Sequence, residues 1–158
     1  MHKMKEINIV ALGDSITYGY PYTPEVSWPF IAEQRTNLRI INKGINGDTL
    51  EGMLDRFDED VKAFSPDILV VMGGTNDAFG DYSISSMEHS LKEILKRAIG
   101  LSIQPIVGIP IPTDDSSTEK KLSKFRELIL GLCVKNHIPV IDFYSVMVDK
   151  SGLIKKEL

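Results

Sequence analysis

The sequence predicts an α/β fold, a three-layer α/β/α sandwich built on a five-stranded parallel sheet. Five short apolar runs are rich in β-branched residues and lack alternation, which is typical of strands covered on both faces. Amphipathic helical patterns lie between these runs, so the order is βαβαβαβαβ and right-handed crossovers are expected. We expect the common doubly wound strand order, 2-1-3-4-5.

The elements follow from local patterns along the chain. The predicted strands are Ile7–Leu12, Leu38–Ile41, Ile68–Met72, Pro105–Ile109 and Pro139–Phe143. Apolar residues at helical spacing predict helices over Leu50–Val61, Met87–Ala98 and Leu122–Cys133, and Ser27-Trp28-Pro29 opens a further helix. Predicted N-caps, each three residues before a glutamate, are Asp48, Ser85 and Ser116, and Gly100 suits a helix C′ position.

Size and composition indicate a single domain over residues 1–158, without the features of a nucleic-acid-binding, membrane-spanning or secreted protein. The 158 residues carry a net charge of −4 without a basic run, so nucleic acid is not a favoured partner. No apolar run reaches the ~20 residues of a membrane span, and the first six residues lead straight into a strand without a signal peptide. The one cysteine, Cys133, is predicted to be buried in a helix. We expect a cytoplasmic protein without stable membrane insertion, and no metal-ligand cluster is visible.

Three turns follow the first three predicted strands. Gly13-Asp14-Ser15 follows the first strand, the segment 42–49 follows the second, and the segment 73–77 follows the third. In the order 2-1-3-4-5 the first strand lies between the other two, so their carboxyl ends meet at one crevice. The sequence therefore predicts that all three turns converge.

The residues of these turns suit attack on an ester carbonyl. The hydroxyl of Ser15 is a candidate nucleophile, and its backbone N–H, Gly47 and the Asn76 side chain are candidate oxyanion donors. Asp14 and Asp77 adjoin them and are candidate substrate-binding residues. Plainer interpretations remain open for each turn taken alone: Ser15 as a helix N-cap, Asn76 and Asp77 as turn formers, and the loop glycines as positions of positive φ.

These motifs resemble the GDSL esterases, also called SGNH hydrolases. The first block is matched by Gly13-Asp14-Ser15-Ile16-Thr17, the glycine block by residues 42–47, and the asparagine block by Gly74-Thr75-Asn76-Asp77. The resemblance covers essentially the whole chain. It implies Ser15 as the nucleophile of an acyl-enzyme mechanism, an oxyanion hole at Ser15, Gly47 and Asn76, and no cofactor or metal. It also implies a small-molecule ester substrate, an acyl lipid, an acetylated sugar or a thioester.

The chain departs from the family pattern at the base. The family's last block, Asp-x-x-His, has no match here. His2 lies in the N-terminal tail, His89 on the polar side of a predicted helix, and His137 directly before the fifth predicted strand. A longer native chain, a catalytically silent protein and a base supplied by a partner chain are the three explanations. We expect the first, in which residues 1–158 lack a C-terminal segment. The apolar face thus exposed should make these residues either prone to aggregate or able to form a homodimer.

Two other functions remain open. One is a catalytically silent SGNH-like domain that binds or interacts through the same crevice. The other is a flavodoxin-like nucleotide binder, which is less favoured because the turn after the first strand lacks a glycine-rich phosphate loop and its lysine.

Overall fold

The computed structural model describes residues 6–156 and has a five-stranded parallel sheet at its centre. Its strands are Asn8–Gly13 (β1), Arg39–Gly44 (β2), Ile68–Met72 (β3), Gln104–Ile109 (β4) and Val140–Asp142 (β5). Their order is β2-β1-β3-β4-β5, and every neighbouring pair is parallel. The predicted fold class and strand order are therefore confirmed.

Seven α-helices connect the strands within the described residues. They are Ser15–Tyr18 (α1), Trp28–Arg35 (α2), Leu50–Asp55 (α3), Phe57–Asp60 (α4), Thr75–Phe79 (α5), Ile84–Gly100 (α6) and Ser116–Asn136 (α7). Short 3₁₀ turns occupy Pro24–Val26 and Lys62–Phe64. Because the sheet grows in opposite directions from β1, right-handed crossovers place α2 on one face and α3, α6 and α7 on the other.

The main core lies between the sheet and the face formed by α3, α6 and α7. Alternate residues of the central strands, such as Val10 and Val71, point into it. The helices contribute large buried side chains, with Phe57 and Phe125 both fully buried. Cys133 belongs to this core, as predicted, and burial raises the pKa of its thiol.

The second strand is longer than the sequence pattern indicates. It was predicted to end at Ile41, but β2 continues through Gly44, which pairs with Gly13 of β1. Gly13 also pairs with Met72 at the end of β3. The carboxyl ends of three adjacent strands thus stand level, and the turns that follow them begin side by side.

The predicted helix over Leu50–Val61 was wrong as a single element. The segment forms α3 and α4, separated at Arg56, whose backbone leaves the helical region at φ −92° and ψ 10°. Phe57 and Val61 are nevertheless fully buried, so the apolar spacing reports burial correctly. At this break the side chain of Arg56 turns toward Gly13, at the end of β1, as described below.

Three predicted caps were also displaced. Thr49, Ser83 and Asp115 cap α3, α6 and α7, in place of Asp48, Ser85 and Ser116. Gly100 is the last residue of α6 rather than C′, and Ser102 takes the left-handed conformation at φ 59°. The predicted start at Ser27 is confirmed, since its hydroxyl accepts from the Phe30 N–H at 3.4 Å.

Candidate active site

Ser15 is the first residue of α1 and lies two residues after the end of β1. Asp14, not Ser15, caps this helix, and its carboxylate accepts from the Ile16 N–H at 2.9 Å. The turn is tight, because a Cβ added at Gly13 would lie 2.2 Å from the Thr17 hydroxyl. The Ser15 side chain is thus free of a capping role and half-buried at the carboxyl edge of the sheet.

The end of β2 packs directly beneath α1. A Cβ at Gly44 would lie 2.1 Å from the backbone nitrogen of Tyr18, so a glycine at this position allows β2 and α1 to approach each other closely. Gly47 is required for a different reason, a positive φ of 78°. The Asn42 amide donates to the Thr17 carbonyl at 2.8 Å and to the Ser27 hydroxyl at 3.1 Å. These contacts fix the short helix that begins at Ser15.

Hydrogen bonds join the other two turns to the first. The Ile45 N–H donates to the Gly13 carbonyl at 3.0 Å, and the Asn76 side-chain amide donates to the Asp48 carbonyl at 2.8 Å. Both Asp77 oxygens accept from the Leu50 N–H, at 3.1 and 3.2 Å. The structure therefore brings the three predicted turns together at one edge of the sheet.

Several donors at this junction have no acceptor from the described residues. Within residues 6–156, neither the Ser15 nor the Gly47 backbone N–H donates a hydrogen bond. The Asn76 amide carries two hydrogens, and the bond to Asp48 uses one of them. Gly47 is exposed, and a Cβ there would meet open space. The junction thus offers unpaired N–H groups to a ligand.

Asp14 and Asp77 are buried beside these donors, each with 2% of its surface exposed. Desolvation raises the pKa of Asp14 to about 6, and the charges of Asp77 and Asp48 add to the rise. Desolvation likewise raises the pKa of Asp77 to about 6, against the hydrogen bond from Leu50. Both carboxylates face backbone N–H groups, and their predicted role in substrate binding stays a prediction.

Arg56 was not among the predicted site residues, yet its guanidinium contacts two of the three turns. It donates to the Asp48 carboxylate through Nε at 2.8 Å and to the Gly13 carbonyl through Nη2 at 3.0 Å. Nη1 donates to Asp60 at 2.7 Å. The available signal was the i, i+4 pairing of Arg56 with Asp60, which by itself indicates only an ordinary helix ion pair.

The histidines of the described region lie elsewhere. His89 is exposed on α6, and His137 is exposed where it ends α7, near the start of β5. His2 lies outside the described residues. Within residues 6–156, no group of three His, Cys, Asp or Glu side chains is arranged to hold a metal ion, and no helix is long and apolar enough to cross a bilayer.

The chain is similar in sequence and fold to several known proteins. Thioesterase 1/protease 1/lysophospholipase L1 of Escherichia coli K12 is 26% identical over 139 residues, 86% of this chain but only 66% of the relative. An acetylxylan esterase of Geobacillus stearothermophilus is 34% identical over 82 residues, 48% of this chain and 37% of the relative. The structure of a G-D-S-L family protein from Desulfitobacterium hafniense DCB-2 superposes with a TM-score of 0.91 at 29% identity, covering 96% of this chain and 85% of that one. Residues 11–158 match the GDSL-like Lipase/Acylhydrolase family, and the chain belongs to that family.

Proposed function

We propose that this protein is a serine esterase that cleaves carboxylic esters or thioesters through an acyl-enzyme intermediate. One observation carries the proposal: the hydroxyl of Ser15 stands at the same edge of the sheet as the unpaired N–H groups of Ser15, Gly47 and Asn76. This combination of a nucleophile and converging donors suits a carbonyl that becomes an oxyanion when attacked.

The proposed reaction has two halves. Ser15 Oγ attacks the carbonyl carbon, the bond to the leaving alcohol or thiol breaks, and an acyl-Ser15 ester remains. Water then attacks this ester and releases the carboxylic acid. In both halves the oxyanion accepts from the N–H groups of Ser15 and Gly47 and from the second Asn76 hydrogen. The Oγ proton requires a base, and residues 6–156 place no histidine in hydrogen-bond contact with Ser15.

The relatives and the exposed surface near the turns support a proposal for the substrate class. The relatives' names include a thioesterase, a lysophospholipase and an acetylxylan esterase. Two apolar side chains near these turns are open to solvent: Ile45 is 46% exposed, and Phe79, at the end of α5, is 76% exposed. Apolar side chains beside a few polar groups are typical of small-molecule sites in general. We therefore propose an acyl lipid, an acetylated sugar or a thioester as substrate.

The experiment measures hydrolysis of p-nitrophenyl acetate and p-nitrophenyl butyrate, with and without added imidazole as an external base. We expect a rate above that of imidazole alone, lost in Ser15→Ala and reduced about 10²–10³-fold in Asn76→Ala. Ser123→Ala, at an exposed position of α7, is the matched control and should keep the full rate. Equal rates for the wild type and Ser15→Ala would refute the esterase, and crevice binding without turnover would then replace it.

A further inference from the structure

The Arg56 side chain links the strand before Ser15 to the loop that carries Gly47. Its Nη2 lies 3.0 Å from the Gly13 carbonyl and 2.8 Å from Asp48 Oδ2. Its Nε also donates to Asp48 Oδ2, at 2.8 Å. One planar guanidinium therefore contacts a residue two positions before Ser15 and another directly after Gly47.

This network is largely removed from water and is balanced in charge. The side chains of Arg56, Asp48 and Asp60 are only 13%, 12% and 15% exposed. Lys43 forms a second ion pair with Asp60 at 2.9 Å, so two cations face two carboxylates. Removal of one partner would leave an uncompensated charge in a largely desolvated network, which is strongly unfavourable.

The backbone of Asp48 connects the Arg56 network to the proposed oxyanion donors Gly47 and Asn76. Its carbonyl accepts from the Asn76 amide at 2.8 Å, and its N–H donates to the Ile45 carbonyl at 3.2 Å across the turn that contains Gly47. The Asp48 side chain is held by Arg56, while its backbone fixes Asn76 and the turn. The position of both donors relative to Ser15 therefore depends on the Arg56–Asp48 pair.

Gly52 leaves the space that this pair requires. A Cβ at Gly52 would lie 2.1 Å from Asp48 Oδ1, the oxygen that also accepts from the Thr49 N–H at 2.9 Å. Glycine is a poor helix former, and alanine would otherwise be preferred at this position of α3. The atom in conflict is the end of a side chain, so an added methyl group would move the carboxylate rather than the backbone.

We propose that Arg56 is the positioning residue of the oxyanion hole, acting through Asp48 and the Gly13 carbonyl to hold Gly47 and Asn76 at their distance from Ser15. The catalytic part of this assignment rests on the proposed esterase function, whereas the positioning part does not. Lysine cannot replace arginine here, because a single ammonium lacks the planar fork that reaches Asp48 and Gly13 together.

The first test measures positioning without catalysis. Amide hydrogen exchange by NMR is compared for wild type, Arg56→Lys, Gly52→Ala and the control Arg97→Lys. Arg97 donates to the Leu54 carbonyl and lies over the Phe57 ring. We expect exchange of the Ile45 N–H and the bonded Asn76 hydrogen to rise about 10-fold or more in the first two variants. Exchange in the α6 core and in Arg97→Lys should remain at the wild-type level. Unchanged exchange in a folded Arg56→Lys or Gly52→Ala protein would overturn the proposal.

The second test measures kcat and KM in the Ser15-dependent ester assay. An oxyanion exists only after attack, so both variants should lower kcat about 10-fold to 100-fold with KM within about twofold. Increased exchange with an unchanged kcat would overturn the catalytic part. A protein without Ser15-dependent hydrolysis would refute the esterase alone, since the exchange result would still decide the positioning role. Gly52→Ala changes no charge, so its exchange rates and kcat test the positioning role if Arg56→Lys does not fold.

Discussion

The buried Asp14 carboxylate should make this protein less stable at neutral than at mildly acidic pH. Desolvation raises its pKa from 3.8 to about 6 in the folded protein, so the folded state binds the proton more tightly than the unfolded chain. The free energy of unfolding should therefore fall as the pH rises from about 4 to about 6. Linkage gives a contribution of about 2 kcal/mol at about pH 4.5 and almost none at about pH 7.5.

The variant Asp14→Asn isolates this effect. Asparagine caps a helix as well as aspartate does and can still accept from the Ile16 N–H, but it does not titrate. Urea unfolding of both proteins at the two pH values gives a double difference in which any loss common to both conditions cancels. We expect about 2 kcal/mol, or a shift of about 1 M in the urea midpoint. The same pH dependence in both proteins would refute the reasoning.

Other carboxylates should not mask this result. The pKa of Asp60 is lowered, because its bonds to Arg56 and Lys43 outweigh the desolvation that would raise it. Its stabilising charge is thus lost only at pH values below the usual range, outside the Asp14 window. Asp77 acts in the same direction as Asp14, since desolvation raises its pKa to about 6 as well. Asp14→Asn should therefore reduce the pH dependence without removing all of it.

Three further predictions concern the framework around the site. Gly44→Ala should lower the free energy of unfolding by about 3 kcal/mol in urea titrations, because its methyl group would meet the Tyr18 backbone at 2.1 Å; a loss below about 1 kcal/mol would contradict this packing. Arg126→Met should lower the free energy of unfolding by about 3–5 kcal/mol in the same assay. Arg126 is 5% exposed, pairs with Glu119 at 2.6 Å and donates to the carbonyls of Pro110 and Ile111. Wild-type stability of this variant would refute a structural role for Arg126. The Cys133 thiol, 2% exposed, should react with a thiol reagent only as the protein opens, and reaction at the rate of a free thiol would show that the core is not closed there.

Local residue patterns were sufficient for the order of the elements. Each β-branched run and each apolar stripe expresses a preference of a few neighbouring residues. The five strands are therefore confirmed near their predicted positions, apart from the longer carboxyl end of β2, and the helix start at Ser27 is confirmed. The convergence of the turns that carry Ser15, Gly47 and Asn76 could also be predicted from the sequence, because parallel strands joined by right-handed crossovers allow few strand orders. The ends of the helices were predicted less accurately. Several neighbouring polar residues could cap each helix, and the residue that does so depends on contacts in the folded protein.

The fold class, the strand order and the meeting of the three turns can all be predicted from the residue pattern. The pairing of polar groups at the junction of these turns depends on contacts between distant parts of the chain. Arg56 and Gly13 are 43 residues apart, and no local pattern indicates that the guanidinium of one reaches the carbonyl of the other. Asp77 likewise accepts from Leu50 across 27 residues. The physical reason is that backbone preferences act over a few residues, whereas a buried donor takes whichever acceptor the finished fold brings within hydrogen-bond distance.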